Sequence, residues 1–227
     1  NYVAALADKV SRVRGVELNP GMLSVAKAKL SNCPGVDLQE GSILELPLED
    51  GSCQGVVINY VLQHLEDGSD ATFSETRRAV AECQRVLAPG GTMVIQTCSA
   101  VQYRQGYWYS ILIRNVVDRA VEHYIPLDML EESMREVGLQ TDQSLPILDE
   151  VYQGDSYLDP HGPTRAEWRD GDSSWALVSE DELARVNREI ERMLGDGSID
   201  GFLEEREAQR REHGQGTIVI GRKPLTG

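Results

Sequence analysis

The sequence predicts a doubly wound α/β fold, with a mostly parallel sheet and helices on both faces. Strand-like and helix-like segments alternate from one end of the chain to the other, which is typical of such sheets. The run Gly-Val-Val-Ile-Asn at 55–59 is almost continuously apolar, as expected of a parallel strand that is buried on both faces.

Local signals place the individual elements. Apolar residues recur at helical spacing in the first ten residues, which predicts an opening helix. A strand ends near Leu18, and Asn19 and Pro20 then suit the N-cap and first position of a helix that runs to about Leu30. Residues 99–124 are expected to be irregular at first and then helical. Further strands are predicted at 36–39, 92–97, 143–147 and 217–220, and further helices at 70–87, 128–137, 180–194 (opened by a capping box at Ser179) and 201–213.

Composition and net charge indicate which classes of protein the chain can belong to. With 227 residues, 41% hydrophobic and 26% charged, the chain has the size and balance of one globular domain plus an insertion. A net charge of −15 argues against nucleic acid as a partner. No apolar run has the roughly 20 residues of a membrane span. The four cysteines lack paired spacing, which predicts free thiols in a reducing, cytoplasmic setting and no metal site.

The acidic charge is concentrated in one part of the chain. Residues 149–214 hold 18 acidic residues against 8 basic ones. We therefore expect a main domain made of residues 1–148 and 215–227, with residues 149–214 as an acidic, partly helical insertion or cap.

Glu17 is the clearest candidate for a binding residue. It lies at the predicted carboxyl end of a strand, where α/β folds place an acid that binds the two hydroxyls of a ribose. The glycine-rich fingerprint of such sites normally lies about 20 residues upstream, which is beyond the first residue of this sequence. The sequence thus predicts a nucleotide-type cofactor domain whose first strand and glycine loop are absent from it.

Five segments form an ordered set of motifs. They are Gly-Val-Glu-Leu-Asn-Pro-Gly-Met at 15–22, Gly-Ser-Ile-Leu-Glu-Leu-Pro-Leu at 41–48, Asp-Gly-Ser-Cys-Gln-Gly-Val-Val at 50–57, Val-Leu-Gln-His-Leu at 61–65 and Arg-Val-Leu-Ala-Pro-Gly-Gly at 85–91. In this order they resemble the class I S-adenosylmethionine-dependent methyltransferases, nearest to the branch related to quinone-biosynthesis C-methyltransferases. The resemblance covers roughly residues 1–146 and the last strand, and residues 149–214 contribute nothing to it.

This resemblance implies a Rossmann-like fold, S-adenosylmethionine as cofactor and methyl transfer to a small organic molecule. It implies that Glu17 and Leu18 contact the ribose and that Ser42 and Ile43 flank the adenine. The family often has Asp where Ser42 stands, so this part of the pattern differs here. Asn59, at the end of its strand, corresponds to a position that lines the methionine part of the cofactor.

The same resemblance points to residues for the reaction itself. His64 follows the strand at 55–59, near the expected position of the methyl group, and histidine can accept a proton at neutral pH. A surface or packing histidine is the alternative. Tyr103, Tyr107 and Trp108 lie in the region that caps the acceptor pocket in the family, although aromatic clusters also occur in cores.

Two other functions remain open on the sequence. A nicotinamide-dependent oxidoreductase also uses a strand-end acid, but it gives no reason for the segments at 46–48 and 85–91 to occur together. A non-catalytic interaction module that kept the fold and lost the chemistry is the second alternative. The acidic insertion is expected to shape acceptor access or to form a partner surface.

Overall fold

The computed structural model describes residues 2–170 and 172–225. Four residues of the predicted domain ranges lie outside the described residues: Asn1, Gly171, Thr226 and Gly227. Regular elements follow one another along the whole described chain. The strands are β1 (Val13–Glu17), β2 (Val36–Glu40), β3 (Cys53–Asn59), β4 (Leu87–Thr97), β5 (Gln140–Thr141), β6 (Leu145–Pro146) and β7 (Thr217–Arg222). The α-helices are α1 (Tyr2–Ala7), α2 (Pro20–Lys29), α3 (Ser74–Val86), α4 (Ala100–Gln105), α5 (Arg114–Ala120), α6 (Leu127–Glu136), α7 (Ala166–Arg169), α8 (Glu180–Asp196) and α9 (Ile199–His213).

The strands form two sheets. β1 and β2 pair in parallel, from Val13 opposite Val36 to Glu17 opposite Glu40. The second sheet has the order β3-β4-β7-β5, with β6 also paired to β7. β3 and β4 are parallel, whereas β7 runs antiparallel to its three neighbours. The predicted α/β class with a mostly parallel sheet is confirmed, and the direction of β7 is what the tertiary structure adds.

One edge of β3 has no strand beside it among the described residues, and the same holds for β1. The prediction that β3 is buried on both faces is wrong at Val57, which is 50% exposed. With only β4 paired to it, β3 is covered on one edge alone, so part of its surface stays open. The predicted absence of a first strand is not tested by the structure and stays a prediction.

The main core lies between the second sheet and the helices α3 and α6. Its fully buried members come from all of these elements, and the loop after β2 packs onto the same core through Ile43, Leu44 and Leu46. That loop therefore links the two-stranded sheet to the larger one. Buried members include Ile58, Val80, Ile95, Leu130, Met134 and Val219.

A second core joins two parts of the chain that the sequence assigned to different domains. It contains side chains from the segment 108–117 and from residues 157–199. The predicted boundaries of residues 149–214 stay a prediction, but the packing groups the segment after β4 with that insertion. Arg210 strengthens the junction, because its buried guanidinium donates hydrogen bonds to the carbonyl oxygens of Leu148 (2.8 Å) and Glu150 (3.3 Å).

Helix caps explain several boundaries. The Asn19 side chain accepts hydrogen bonds from the N–H groups of Gly21 and Met22, which confirms the predicted start of α2. At Ser179 one half of the predicted capping box forms, a bond from the Glu182 N–H at 3.3 Å. A full reciprocal box lies at Ser99 and Gln102, and it starts α4 in a segment that was expected to be irregular.

The predicted strand at 143–147 is the least accurate element. The structure has one two-residue strand in this range, β6, and another, β5, just before it. Among the described residues, no helix combines the length and the apolar character that crossing a membrane requires.

Candidate functional site

The carboxyl ends of β1 and β2 lie side by side and present Glu17. The Gly41 N–H donates to the Glu17 carbonyl oxygen (3.2 Å), which holds the two strand ends together. One oxygen of the Glu17 carboxylate accepts the Asn19 N–H at 2.8 Å. The other carboxylate oxygen has no hydrogen-bond partner among the described residues. Glu17 is thus oriented by the turn into α2 and keeps an acceptor free.

Leu18 and the loop after β2 surround this carboxylate. Leu18 is 69% exposed, so an apolar side chain stands open at the strand end. Ser42 is half-buried, and its hydroxyl oxygen accepts the Leu44 N–H at 3.1 Å. Ile43 is half-buried against the main core. The structure therefore brings Glu17, Leu18, Ser42 and Ile43 together at one end of the small sheet.

Asn59 ends β3 and carries an unusual polar atom. Its side-chain oxygen Oδ1 is buried and has no hydrogen-bond partner among the described residues. An unsatisfied buried acceptor costs about 1–3 kcal/mol, and a donor from a bound ligand or a water would satisfy it. Asn59 Oδ1 is one of nine buried side-chain atoms of this kind among the described residues. Asn59 belongs to the larger sheet, and no hydrogen bond joins it to Glu17 in the described chain.

Tyr60, the next residue, is a functional candidate that the sequence did not indicate. Its backbone φ is +49°, a left-handed conformation that is rare for a bulky residue and that tends to occur at functional sites. The Tyr60 N–H donates to the Gln96 carbonyl oxygen (3.0 Å), and its hydroxyl donates to the Gln215 carbonyl oxygen (3.1 Å). These contacts hold the strained turn at the end of β3.

A cavity of about 450 Å³ opens where the chain continues after Tyr60. Two of the predicted site residues, His64 and Tyr103, line it. The lining also contains residues that were not predicted, among them Gln63, Arg119, His123, Tyr124 and Ser174. Their positions depend on contacts between α5, the turn before α6 and the insertion, so the sequence carried no local signal for them.

His64 lies in a short 3-10 turn, Leu62–His64, and is exposed at the cavity wall. Its Nε2 is 3.4 Å from the side-chain nitrogen of Gln63. That nitrogen also donates to the Tyr60 carbonyl oxygen at 2.9 Å. An amide nitrogen is only a donor, so this pairing favours the His64 tautomer in which Nε2 is an acceptor.

His123 is a second base candidate in the same wall. Its Nδ1 is 2.8 Å from the Glu66 carbonyl oxygen. Because a carbonyl can only accept, Nδ1 must carry the proton, and the neutral ring then has a lone pair on Nε2. Unlike His64, His123 has its ring fixed by a backbone contact.

The Tyr103 side chain connects α4 to the insertion at the cavity wall. Its hydroxyl is 2.6 Å from the hydroxyl of Ser174, a residue of the insertion. Burial raises the pKa of Tyr103 to about 12, because the phenolate is poorly solvated there. Tyr103 is therefore a neutral hydroxyl at physiological pH.

The other predicted aromatic residues have structural positions. Trp108 is 0% exposed, and its ring N–H donates to the Tyr157 carbonyl oxygen. Trp108 is not among the lining residues and belongs to the second core, so its position does not support a contact with substrate, and that role stays a prediction. Tyr107 lies beside the cavity rather than in its lining, with its hydroxyl donating to the Gln215 carbonyl oxygen at 3.2 Å. Trp108 and Tyr109 contact the insertion at Tyr157 and Asp172, whereas the Tyr107 hydroxyl bonds to a residue just after it.

No cluster of three or more His, Cys, Asp or Glu side chains suited to a metal ion occurs in residues 2–170 and 172–225. All four cysteines are free thiols. Burial raises the pKa of the Cys83 thiol to about 12, so this sulfur stays protonated.

Comparison with known proteins matches the N-terminal part of the chain to one family. Residues 1–95 match the family described as "Methyltransferase domain". A relative from Mycolicibacterium smegmatis, assigned as an S-adenosylmethionine-dependent methyltransferase, is 35% identical over 101 residues, which cover 44% of this chain and 35% of that protein. The demethylmenaquinone methyltransferase of Symbiobacterium thermophilum is 28% identical over 167 residues, with 62% of this chain and 63% of that protein covered.

A solved structure extends the similarity to nearly the whole chain. A protein of Anabaena variabilis, assigned as a methyltransferase of an antibiotic biosynthesis pathway, superposes with a TM-score of 0.76 over 97% of this chain and 85% of its own, at 22% identity. At that identity the superposition shows the fold alone. The chain spans about a third of the first of these curated relatives and just under two thirds of the second.

The match to the family described as "Methyltransferase domain" covers residues 1–95, and the superposition on the Anabaena variabilis structure shows that nearly the whole chain shares its α/β fold. The acid at the end of β1 and the cavity beyond β3 lie within that fold. The matches to demethylmenaquinone methyltransferases agree with the resemblance noted in the sequence.

Proposed function

We propose that this protein transfers a methyl group from S-adenosylmethionine to a small organic acceptor. The observation that carries the proposal is the Oδ1 atom of Asn59, which is buried and has no hydrogen-bond partner in the described chain, at the strand end just before the strained Tyr60 and the cavity-lining residues that follow it. Such an atom needs a donor, and the α-ammonium group of the cofactor's methionine part is a donor of that kind.

The residues present fit the cofactor by their chemistry. The free oxygen of Glu17 suits a ribose hydroxyl, and exposed Leu18 offers an apolar surface beside it. Ile43 presents an apolar side chain next to an adenine ring, and the Ser42 hydroxyl can still donate its proton, since it is an acceptor in its bond to Leu44. When bound, S-adenosylmethionine supplies an electrophilic methyl group on a positively charged sulfur.

The cavity would hold the acceptor and position its nucleophilic atom. Positioning alone can account for several kcal/mol of a methyl-transfer barrier. As the acceptor atom gains the methyl group, its proton passes to a base, for which His64 is proposed and His123 is the second candidate. The neutral hydroxyls of Tyr103 and Ser174 orient the acceptor by hydrogen bonds.

The acidic insertion is proposed to shape access to this cavity. Ser173, Ser174 and Leu177 all lie in residues 149–214 and form one side of its wall. A partner surface on the rest of the insertion remains the alternative role. A cytoplasmic location is likewise part of the proposal, supported by the four free cysteines.

Isothermal titration with S-adenosylhomocysteine, and separately with NADH, tests the proposal and its two rivals. We expect saturable binding of S-adenosylhomocysteine and none of NADH. Binding of NADH instead would favour the oxidoreductase, and the absence of heat with either ligand in a folded sample would favour the non-catalytic module.

A second experiment assigns the base. With an acceptor found by screening for release of S-adenosylhomocysteine, we compare His64→Ala, His123→Ala and the control His161→Ala, an exposed histidine that is not in the cavity lining. Loss of the catalytic base should lower the turnover rate by about 100-fold or more. Unchanged turnover in His64→Ala removes His64 from the mechanism, and a matching loss in His123→Ala assigns the role to His123.

A further inference from the structure

The cavity differs in charge from the rest of the molecule. The chain has a net charge of −15, yet no carboxylate lines the cavity among the described residues. The titratable lining groups other than the tyrosines are Arg119, His64 and His123. A cavity that lacks acids and contains an arginine in so acidic a protein is suited to an anion.

Arg119 is free to bind such an anion. Thirteen of the eighteen arginines in the chain form ion pairs with carboxylates. Within the part of the chain that the structure describes, no carboxylate lies within 4 Å of the Arg119 guanidinium. Its Nε donates to the Asn115 carbonyl oxygen of its own helix at 3.3 Å. The two terminal nitrogens, which form the fork that binds carboxylates, have no hydrogen-bond partner there.

Two carboxylates near Arg119 have donors of their own. Asp118 bonds to Arg104 at 2.9 Å and Arg114 at 3.3 Å, and it lines a neighbouring depression to which Arg119, Leu177 and Glu182 also contribute. Behind the cavity wall, one oxygen of Asp172 accepts the Ser174 N–H (2.8 Å) and the other accepts the Tyr109 hydroxyl. The donors to Asp172 are neutral, so its carboxylate keeps its charge, but among the described residues neither Asp172 nor Asp118 lies within 4 Å of the Arg119 guanidinium.

The uncharged part of the lining combines apolar and aromatic side chains with the polar groups of Gln63, Ser173 and Ser174. Val116, Ala120 and Leu177 contribute aliphatic surface, and Tyr103 and Tyr124 contribute rings whose centroids are 5.3 Å apart. A volume of about 450 Å³ lies in the range of sites for small molecules. An occupant that matches all of these features has an apolar or aromatic body and one anionic group.

We infer that the methyl acceptor is a small aromatic carboxylate, and that Arg119 binds its carboxylate group while Tyr103 and Tyr124 contact its ring. This inference rests on the proposed function, because it assigns the acceptor class of the same cavity. Arg119 sets specificity by charge and by the geometry of its fork, and it takes no part in the methyl transfer.

The test compares matched pairs of ligands by isothermal titration in the presence of saturating S-adenosylhomocysteine. The probes are benzoate, phenylacetate and indole-3-acetate, each against its neutral amide. We expect at least one carboxylate to bind about tenfold or more tightly than its amide, since a charge-assisted bidentate pair is among the stronger polar contacts. Arg119→Gln should remove this difference, and Arg119→Lys should restore part of it.

Arg114→Gln is the matched control, because Arg114 lies on the same helix, is exposed and is not in the cavity lining. It should leave the preference for carboxylates unchanged. Equal binding of acids and amides, or an unchanged preference in Arg119→Gln, overturns the inference. The inference is also overturned if none of the three carboxylates binds at concentrations of tens of millimolar. The heat of S-adenosylhomocysteine binding, measured separately, shows whether the proposed methyl transfer has failed as well or only its acceptor class.

Discussion

Tyr60 donates a hydrogen bond from its hydroxyl to the carbonyl oxygen of Gln215, at 3.1 Å. The two residues are 155 positions apart in sequence, and the bond ties the end of β3 to the residues that lead into β7. The same carbonyl oxygen also accepts the Tyr107 hydroxyl, at 3.2 Å. One backbone acceptor thus joins the candidate cofactor side of the site to the segment after β4.

This shared acceptor makes the two tyrosines energetically coupled. Tyr60→Phe or Tyr107→Phe alone should cost about 1 kcal/mol of unfolding free energy, because the other hydroxyl still satisfies the carbonyl. The double variant should cost more than the sum, by about 1 kcal/mol, since the carbonyl is then left without a partner. Urea unfolding of the four proteins measures this coupling, and strict additivity would contradict it.

Glu17→Gln should weaken S-adenosylhomocysteine binding by about 10- to 100-fold, the loss expected when a charged acceptor of hydroxyl hydrogen bonds becomes neutral. The Gln side chain retains an oxygen for the Asn19 N–H, so the fold should persist. Isothermal titration measures the affinity. Asp37→Asn is the control, because Asp37 lies in the same small sheet and pairs with Arg12 away from the strand end. Equal effects of the two changes would remove Glu17 from the binding site.

Trp108→Ala should lower the unfolding free energy by about 3–5 kcal/mol, because it leaves a large void in the second core. Trp108 is 0% exposed, whereas nearby Ile111 is 44% exposed. Ile111→Ala should therefore stay within about 0.5 kcal/mol of the parent protein. Chemical denaturation distinguishes the two. A mild effect of Trp108→Ala on stability would mean that this ring is not a core residue in solution.

Tyr103 should contribute to the loss of stability at high pH. Burial raises its pKa from 10.0 to about 12 in the folded protein, so the unfolded chain loses this proton first as the pH rises. The stabilisation is complete below about pH 10 and decreases through about pH 12, on the order of 1.4 kcal/mol per pH unit between these limits. Urea unfolding across this range should show a shallower decrease for Tyr103→Phe than for the parent. Parallel curves for the two proteins would show that Tyr103 ionises normally.

Elements with local signals were predicted well from sequence. The start of α2 was correct because Asn19 caps the helix through bonds to residues only two and three positions away. The helix that starts at Ser179 was also found, since its cap acts within one turn. The strand near 143–147 was poorly predicted, because β5 and β6 exist only through pairing with β7, more than 70 residues later.

The residues of the candidate site also differ in whether a local sequence signal predicts them. Glu17 was recognisable because strand, acid and helix cap follow one another directly, and His64 because it follows an apolar strand. Arg119 and His123 lie four residues apart at the end of α5 and in the turn after it, whereas Ser174 comes from the insertion. No spacing in the sequence relates Ser174 to the other two. Trp108 and Tyr103 look alike in sequence as members of one aromatic run, yet one is in the core and the other lines the cavity.

The sequence by itself determined the α/β class, the order of most elements and the acid at the end of β1, because these depend on hydrophobic periodicity and caps within a few residues. Only the tertiary structure decided the direction of β7, the pairing of the insertion with the segment after β4, and which polar groups surround the cavity. Those features depend on long-range packing, in which the burial of rings such as Trp108 and Trp175 selects one arrangement.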